Sequence, residues 1–527
     1  MLKLLYNAHI RTLDESTPFA SALLIENGRV TAFGDASDFN GLSSAGVQRE
    51  DMTGKTIWPG LIDSHLHLQN YALSLAKVDC ETDSKKDCLN RIAERVRGTP
   101  PGRWILGHGW NQNTWGAWPD LADLDALSSQ NPVYLTAKSL HAAWVNTQAL
   151  RTAGIGSDTP DPENGIIQRS GSGEATGVLL ESAMELVSRH VPDPSADETE
   201  QVIEAAQQNL SRFGLTCVHD FDRRDAFAAL QGLQGRGRLK LRVNKSLPVE
   251  SLDHALALGL RSGFGNDGLW IGSIKVFMDG ALGPRTAAMI DPYVGEPDNR
   301  GILNLDGEEL FEISLRAASG GLGMSVHAIG DRANHEVLNA FEHLRLSEVD
   351  LSIPHLRHRI EHVQIIRPED AARLAALDII ASMQPVHATS DMSMAEKYWG
   401  ERSALAYAWR TQLSNGAHLA FGSDAPVESP NPFAGLHAAV TRQRADGSPD
   451  PLGWYPEQKL NLLEALQAFT LGGAYAANAE DRLGKLTVGY HADLIVLDRD
   501  PFVCHPSEIL DLSPSATMIG GEWVWQS

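Results

Sequence analysis

Short apolar runs alternate with longer amphipathic stretches along most of the chain. Near the start, "ASALLIENGRVTAFGD" sets Asn27-Gly28 between two apolar runs. Both turn positions of such a hairpin must accept positive φ, which Asn and Gly do at least cost, so the pattern predicts two paired strands. At the far end "GYHADLIVLDRDP" predicts a strand around Leu494 to Leu497, and "ATMIGGEWVWQS" a hairpin about Gly520-Gly521. Each terminal segment is too small to bury its own face. The two are therefore expected to pair into one small β domain, built from residues 1–56 and 484–527.

Between them lie eight strand-like runs: "TIWPGLIDSH", "GLTCVHD", "LKLRVNKSL", "IGSIKVFMDG", "GMSVHAIGD", "HRIEHVQ", "DIIASMQP" and "HLAFGSD". Helical patterns separate the later ones: "EELFEISLRAAS", "ANHEVLNAFEHLR" and "RPEDAARLAALD", the last with Pro368 at a first helical position. Alternating strands and helices with eight strands predict an α/β fold, a (β/α)8 barrel over residues 57–483. Chemistry on such a barrel sits at the C-terminal strand ends, which is where the polar residues fall. From Leu66 to Gly214 there is far more chain than one crossover needs, so an inserted domain is expected at about 70–212. Within it, "GHGWNQNTWGAWPD" and "LHAAWVNTQAL" read as loops or a lid.

Composition adds little to this picture and charge excludes something. The chain of 527 residues is 43% hydrophobic and 21% charged, ordinary for a folded protein. Its 67 acidic against 44 basic side chains give −23, which repels phosphate backbones and anionic membranes. Neither nucleic acid nor membrane is an expected partner. Cys80, Cys88, Cys217 and Cys504 form no CxxC pair, and "MLKLLYNAHIRTLDE" breaks its apolar run at Asn7. A reducing, cytoplasmic location is expected, with no signal peptide and no membrane span.

Several strand ends carry candidate chemistry. In "TIWPGLIDSHLHLQN", His65 and His67 project to one side of a strand while Leu66 points away, because strand side chains alternate. Lys275 stands amid Ile274, Val276 and Phe277, where a bare ammonium is costly to desolvate. His327, His362 and Asp424 close the fifth, sixth and eighth runs. Singly, each has an ordinary explanation: a snorkelling lysine, a core imidazole bonded to backbone, an Asx turn. Together, five of the eight strand ends point at one volume. The nitrogen and oxygen donors there suit zinc or a neighbouring first-row metal.

Six segments in chain order, "PGLIDSHLH", "IKVFMDGALGPRTAAM", "VHAIGDRAN", "RIEHVQ", "GSDAPVE" and "GKLTVGYHADLIVLDRDP", resemble the amidohydrolase superfamily of metal-dependent hydrolases. Within it they resemble the YtcJ-like branch, amidohydrolase family 3, which includes N-substituted formamide deformylases. The resemblance implies a TIM barrel joined to a β-sandwich from both termini, with an insert after barrel strand one. It also implies a role for Lys275: in family members with this motif the lysine reacts with carbon dioxide, and the carbamate bridges two metals. An unmodified lysine would leave a one-metal site. A substrate-facing histidine of the insert corresponds to His141, preceded here by Ser139 and Leu140 where relatives often have Asp-Gly. Trp110 and Asn111 either line the pocket or stabilise the insert.

The expected activity is hydrolysis of a non-peptide C–N bond in an N-substituted amide, formamide or cyclic amide. Divalent metal, zinc first, one or two ions, is held by His65, His67, Lys275, His327, His362 and Asp424 and activates water. Asp424 moves the proton and His141 stabilises the oxyanion. Esterase, deaminase or isomerase chemistry on the same scaffold is the alternative, as is a non-catalytic assembly or regulatory module, whose signature would be lost ligands. No GxxxxGK[ST] loop, GxGxxG after a strand or GxSxG elbow is present. The expected partner is a small-molecule amide; whether two copies form a homodimer is left open.

Overall fold

The eight apolar runs form one parallel sheet in the computed structural model, which describes residues 2–42, 46–138, 142–163 and 165–527. Its strands are β1 (Leu61–Leu66), β2 (Leu215–Asp220), β3 (Arg242–Pro248), β4 (Leu269–Phe277), β5 (Gly323–Ala328), β6 (His358–His362), β7 (Ile379–Met383) and β8 (Leu419–Phe421), hydrogen-bonded in chain order. The strands are buried almost throughout, as expected of a parallel sheet covered on both faces, so they read as apolar runs. The sheet closes on itself. A parallel bridge joins Leu66 to Ala425, the Asp424 amide donates to His65 O at 2.7 Å and the His67 amide to Ala425 O at 2.8 Å. The fold is thus a TIM-barrel-like α/β architecture.

Helices α1 (Gly307–Ser319), α2 (Asp331–Asp350) and α3 (Pro385–Trp399) follow β4, β5 and β7. Asp306 and Glu309 cap α1 reciprocally, and Pro385, whose missing N–H costs nothing at a helix start, opens α3 directly after β7. The helix expected from "RPEDAARLAALD" is only Arg373–Ala376, and Pro368 lies outside it. There the buried Asp370 carboxylate binds His335 Nδ1 at 2.9 Å and Arg373, so it is committed to tertiary partners instead of a helix start.

Two compact units are distinguished, Met1–Tyr71 with Ile203–Ser527, and Ala72–Val202. The first holds the barrel and a sheet of eight strands from both ends of the chain. Strand Leu2–Arg11 organises that sheet: Phe19–Glu26 pairs along one edge, and along the other Val47–Asp51 takes its first half and Thr56–Pro59 its second. Thr56–Pro59 in turn pairs with Leu494–Leu497. Because one long strand bridges these partners, the strands from both ends form a single continuous hydrogen-bonded sheet, with Leu5, Ile25, Ile57, Leu494 and Met518 packed in one buried cluster. Asn27 (φ 51°) and Gly28 (φ 80°) make the first hairpin turn, and a Cβ on Gly28 would meet Gly520 O at 2.7 Å, so the two terminal hairpins abut through glycine.

The second unit contains a six-stranded sheet. The two stretches expected as loops or a lid contribute strands Ile105–Trp110 and Ala142–Val145 to it. Their tryptophans are the reason. Trp110 and Trp144 are wholly buried in that unit's own core, with indole N–H groups donating to Leu135 O at 2.8 Å and Asp120 O at 3.0 Å. Among the described residues no helix is long and apolar enough to cross a membrane.

Candidate metal centre

The ends of β1, β4, β5, β6 and the turn after β8 converge within the first unit. His65 is the second-to-last residue of β1 and His67 the first after it; their Nε2 atoms lie 3.5 and 3.6 Å from Asp424 Oδ1. The His65 and His362 ring centres are 4.9 Å apart, and those of His327 and His362 4.6 Å. Backbone geometry at this mouth is unusual: His362, Val363 and Asp424 all have positive φ, at 78°, 43° and 60°. For a β-branched valine that is a sparsely populated conformation, of the kind that clusters at functional sites.

Each of these four imidazoles is pinned by an acceptor on its outer nitrogen. His65 Nδ1 donates to Glu361 Oε2 at 2.6 Å, His67 Nδ1 to Asp222 Oδ1 at 3.2 Å, and His362 Nδ1 to Gln384 Oε1 at 2.8 Å. His327 does the reverse, its Nε2 donating to Gly280 O at 3.0 Å. A neutral ring that gives its proton to an oxygen keeps a bare lone pair on the other nitrogen, so the set offers Nε2, Nε2, Nε2 and Nδ1. That is the tautomer arrangement a metal requires.

Electrostatics keep the buried rings neutral. Burial, reinforced by the nearby Lys275 charge, lowers His65 to about 4 and His327 to about 3. His362 is held well below its ordinary value by burial and then by His327 and His65. His67 is less deeply buried, and there the Asp222 hydrogen bond and charge, with Asp424, outweigh desolvation and raise it. Glu361 is wholly buried yet held far down the carboxylate range, because Arg359 and His65 overcome its desolvation. Arg359 runs through the barrel interior: it pairs with Glu361, donates to Ser382 Oγ at 2.7 Å and Ser64 O at 2.5 Å, and approaches His219 Nδ1 at 2.8 Å.

Lys275 tests whether the site fits a metal pair. The residue is 4% exposed, and its buried ammonium lies 4.8 Å from the centres of both the Phe221 and Phe277 rings and finds no hydrogen-bond partner among the described residues. Desolvation lowers it to about 8, against the pull of Glu361 and Asp424. A buried cation without an acceptor is costly. Four bare nitrogens, a carboxylate and an unpartnered amine in one cavity mouth fit a divalent metal centre.

A family model described as "Amidohydrolase family" matches residues 48–525. The chain belongs to the amidohydrolase family. Over 99% of its length it is 34% identical to Protein LONG AFTER FAR-RED 3 of Arabidopsis thaliana, covering 91% of that protein. It is 32% identical to the putative amidohydrolase YtcJ of Bacillus subtilis, covering 99% of each chain, and 28% identical to the N-substituted formamide deformylase of Arthrobacter pascens, covering 98% of this chain and 97% of that one. Among solved structures, an uncharacterized metal-dependent hydrolase from Pyrococcus furiosus superposes with TM-score 0.78 at 32% identity, over 95% of this chain and 100% of that one. This amidohydrolase is a metal-dependent hydrolase of the YtcJ-like branch.

The remaining candidates of the amidohydrolase are differently placed. Trp110 sits wholly buried in the insert's core. Asn111 is half-buried directly after that strand, its carbonyl accepting the Trp115 amide at 3.1 Å. His141 lies outside the described residues. Sequence reasoning missed the residues that hydrogen-bond the candidate histidines, Glu361, Asp222 and Gln384, together with Arg359 behind Glu361 and His387 in the first turn of α3. A signal existed for Glu361, a carboxylate directly before the candidate His362 in a run expected to be a buried strand; the others needed the barrel to bring them close. Two buried carboxylates also tie loops at the site. Asp63 accepts from the His65 and Ser423 amides, each at 3.0 Å, and Asp279 from those of Ala288, Ile329 and Gly330; desolvation raises each to about 7.

Proposed function

We propose that this amidohydrolase hydrolyses the non-peptide C–N bond of an N-substituted amide, formamide or cyclic amide, with zinc as its metal. The carrying observation is the convergence of the His65 and His67 Nε2 atoms on Asp424, with the rings of His362 and His327 packed in succession against that of His65, beside the acceptor-less amine of Lys275. The relative named N-substituted formamide deformylase supports the substrate class. His65, His67 and His362 through Nε2, His327 through Nδ1, and Asp424 would hold the ions. The neutral Lys275 Nζ adds to the carbon of carbon dioxide, forming an N–C bond and releasing one proton. The carbamate so formed would turn a cation into an anion able to help hold the ions, and would relieve the unpartnered amine.

A bound divalent ion supplies Lewis acidity, polarising the scissile carbonyl and lowering the pKa of water toward ~7. Asp424 takes a proton from water as that oxygen bonds to the carbonyl carbon, and passes it to the nitrogen as the C–N bond breaks. The products are a carboxylic acid and an amine. Glu361, Asp222 and Gln384 keep the ligand rings oriented through the cycle. The test combines metal content of the purified protein, mass analysis of Lys275 for added carbon dioxide, and a panel of chromogenic formamides, acetamides and cyclic amides. Uptake of divalent ions with amine release that chelation abolishes supports the reading; metal-loaded protein that cleaves no member of the panel overturns it.

A further inference from the structure

His387 faces the same volume as the ligands but is wired the other way. It lies in the first turn of α3, two residues past Pro385, and is 6% exposed. Its ring is parallel to that of His362, with 8° between planes and centres 6.1 Å apart, and its Nε2 is 3.8 Å from Asp424 Oδ2. Those atoms are near enough to share one ion, since His362, His387 and Asp424 offer ligand atoms within 4.8 Å of one another. Ligation is therefore the rival reading, and the hydrogen bond on the far side of the ring decides against it. Gln364 Nε2 stands 3.1 Å from His387 Nδ1, and with the side-chain amide in this orientation its N–H donates there. A neutral imidazole that accepts at Nδ1 carries its proton on Nε2.

The four ligand histidines each donate outward and turn a lone pair inward. His387 accepts outward and turns an N–H inward. That N–H has no hydrogen-bond partner among the described residues, and 3.8 Å to Asp424 is too long for one. A buried donor held ready beside the group that handles the proton is suited to an oxygen on which charge develops as water adds.

We infer that His387 is a catalytic residue that donates from Nε2 to the carbonyl oxygen of the substrate, and is not a metal ligand; this rests on the hydrolytic reading above. Upstream of it, Gln364 is a positioning residue that sets the tautomer. The step involves no group beyond the amide and water: as the C–O bond forms, the carbonyl π pair moves onto oxygen, the His387 N–H stabilises it, and the pair returns when the C–N bond breaks.

The test uses metal-loaded full-length protein, 4-nitroformanilide as substrate and N-phenylphosphoramidate as a tetrahedral mimic whose binding needs no turnover. His387→Ala should keep the wild-type number of ions and chelator-competition affinity, lower kcat by about 10²–10³-fold with little change in KM, and weaken mimic binding by a similar factor. Gln364→Glu leaves His387 in place but supplies an acceptor to Nδ1; it should also weaken the mimic while retaining metal. His387→Gln, which keeps an N–H donor, should recover part of the loss. A lost ion or a tenfold fall in metal affinity in His387→Ala overturns the inference, as does unchanged mimic binding in Gln364→Glu. Wild-type protein that binds the mimic but cleaves no amide would count against the proposed reaction, while mimic binding and metal count in the variants would still decide the role of His387.

Discussion

Replacing Glu361 by Gln separates two consequences of one buried carboxylate. Glu361 is wholly buried; its Oε2 receives the His65 Nδ1 proton at 2.6 Å and an Arg359 N–H at 3.0 Å. Toward the metal, a neutral amide lowers the basicity of His65 and frees the ring to turn. Loss of such an orienting partner weakens metal binding about 10–100-fold, or about 1.4–2.7 kcal/mol. Toward the barrel, the substitution leaves the Arg359 guanidinium buried without its counter-charge. Breaking a buried pair from one side costs about 3–5 kcal/mol, a large share of a domain's ~5–15 kcal/mol. The Ser64 and Ser382 acceptors remain and keep the cost finite. Adding Arg359→Met removes the stranded charge, so the double variant should regain much of the stability while metal affinity stays low. Chelator competition reads the first quantity and urea unfolding of the metal-free protein the second. Wild-type metal affinity in Glu361→Gln would refute the view that this carboxylate sets His65. Failure of the double variant to regain stability would refute the stranded-charge account.

Asp424→Asn should retain metal to within about tenfold while kcat falls by about 10²–10⁴, the usual worth of a positioned acid-base group; metal analysis with steady-state kinetics checks both. Arg242 and Asp493 form a buried pair in which Arg242 outweighs desolvation and holds the Asp493 carboxyl below its ordinary value. Its folded pKa therefore lies beneath the unfolded ~3.9, so its contribution is complete above that value and is lost as pH falls through the folded one. The stability gap between wild type and Asp493→Asn, from urea unfolding at a series of pH values, should accordingly be flat from pH 7 to about 5 and narrow below about 4. Trp110→Phe removes the hydrogen bond to the buried Leu135 carbonyl and some volume; it should cost about 1–3 kcal/mol in thermal unfolding with KM unchanged, whereas a raised KM at full stability would restore a substrate-lining role.

The barrel was legible along the chain because its evidence is local. A parallel strand is buried on both faces, so eight apolar runs announce it, and strand periodicity alone puts His65 and His67 on one side. Turn chemistry is local in the same sense, which is why Asn27-Gly28 and Gly520-Gly521 mark their hairpins. The terminal sheet's continuity was not legible, since it depends on Leu2–Arg11 taking two different partners along one edge. Nor were the tryptophan-rich strands of the insert, because aromatic, glycine-rich sequence is common to loops and to cores, and only burial tells them apart. At the site, residue type could nominate imidazoles but not say which nitrogen is bare. That choice belongs to the partner on the far side of each ring: Glu361 for His65, Asp222 for His67, Gly280 for His327, Gln384 for His362 and Gln364 for His387. All of these partners are more than 20 residues away in sequence, and an acceptor there leaves the inner nitrogen bare whereas a donor leaves it carrying the N–H.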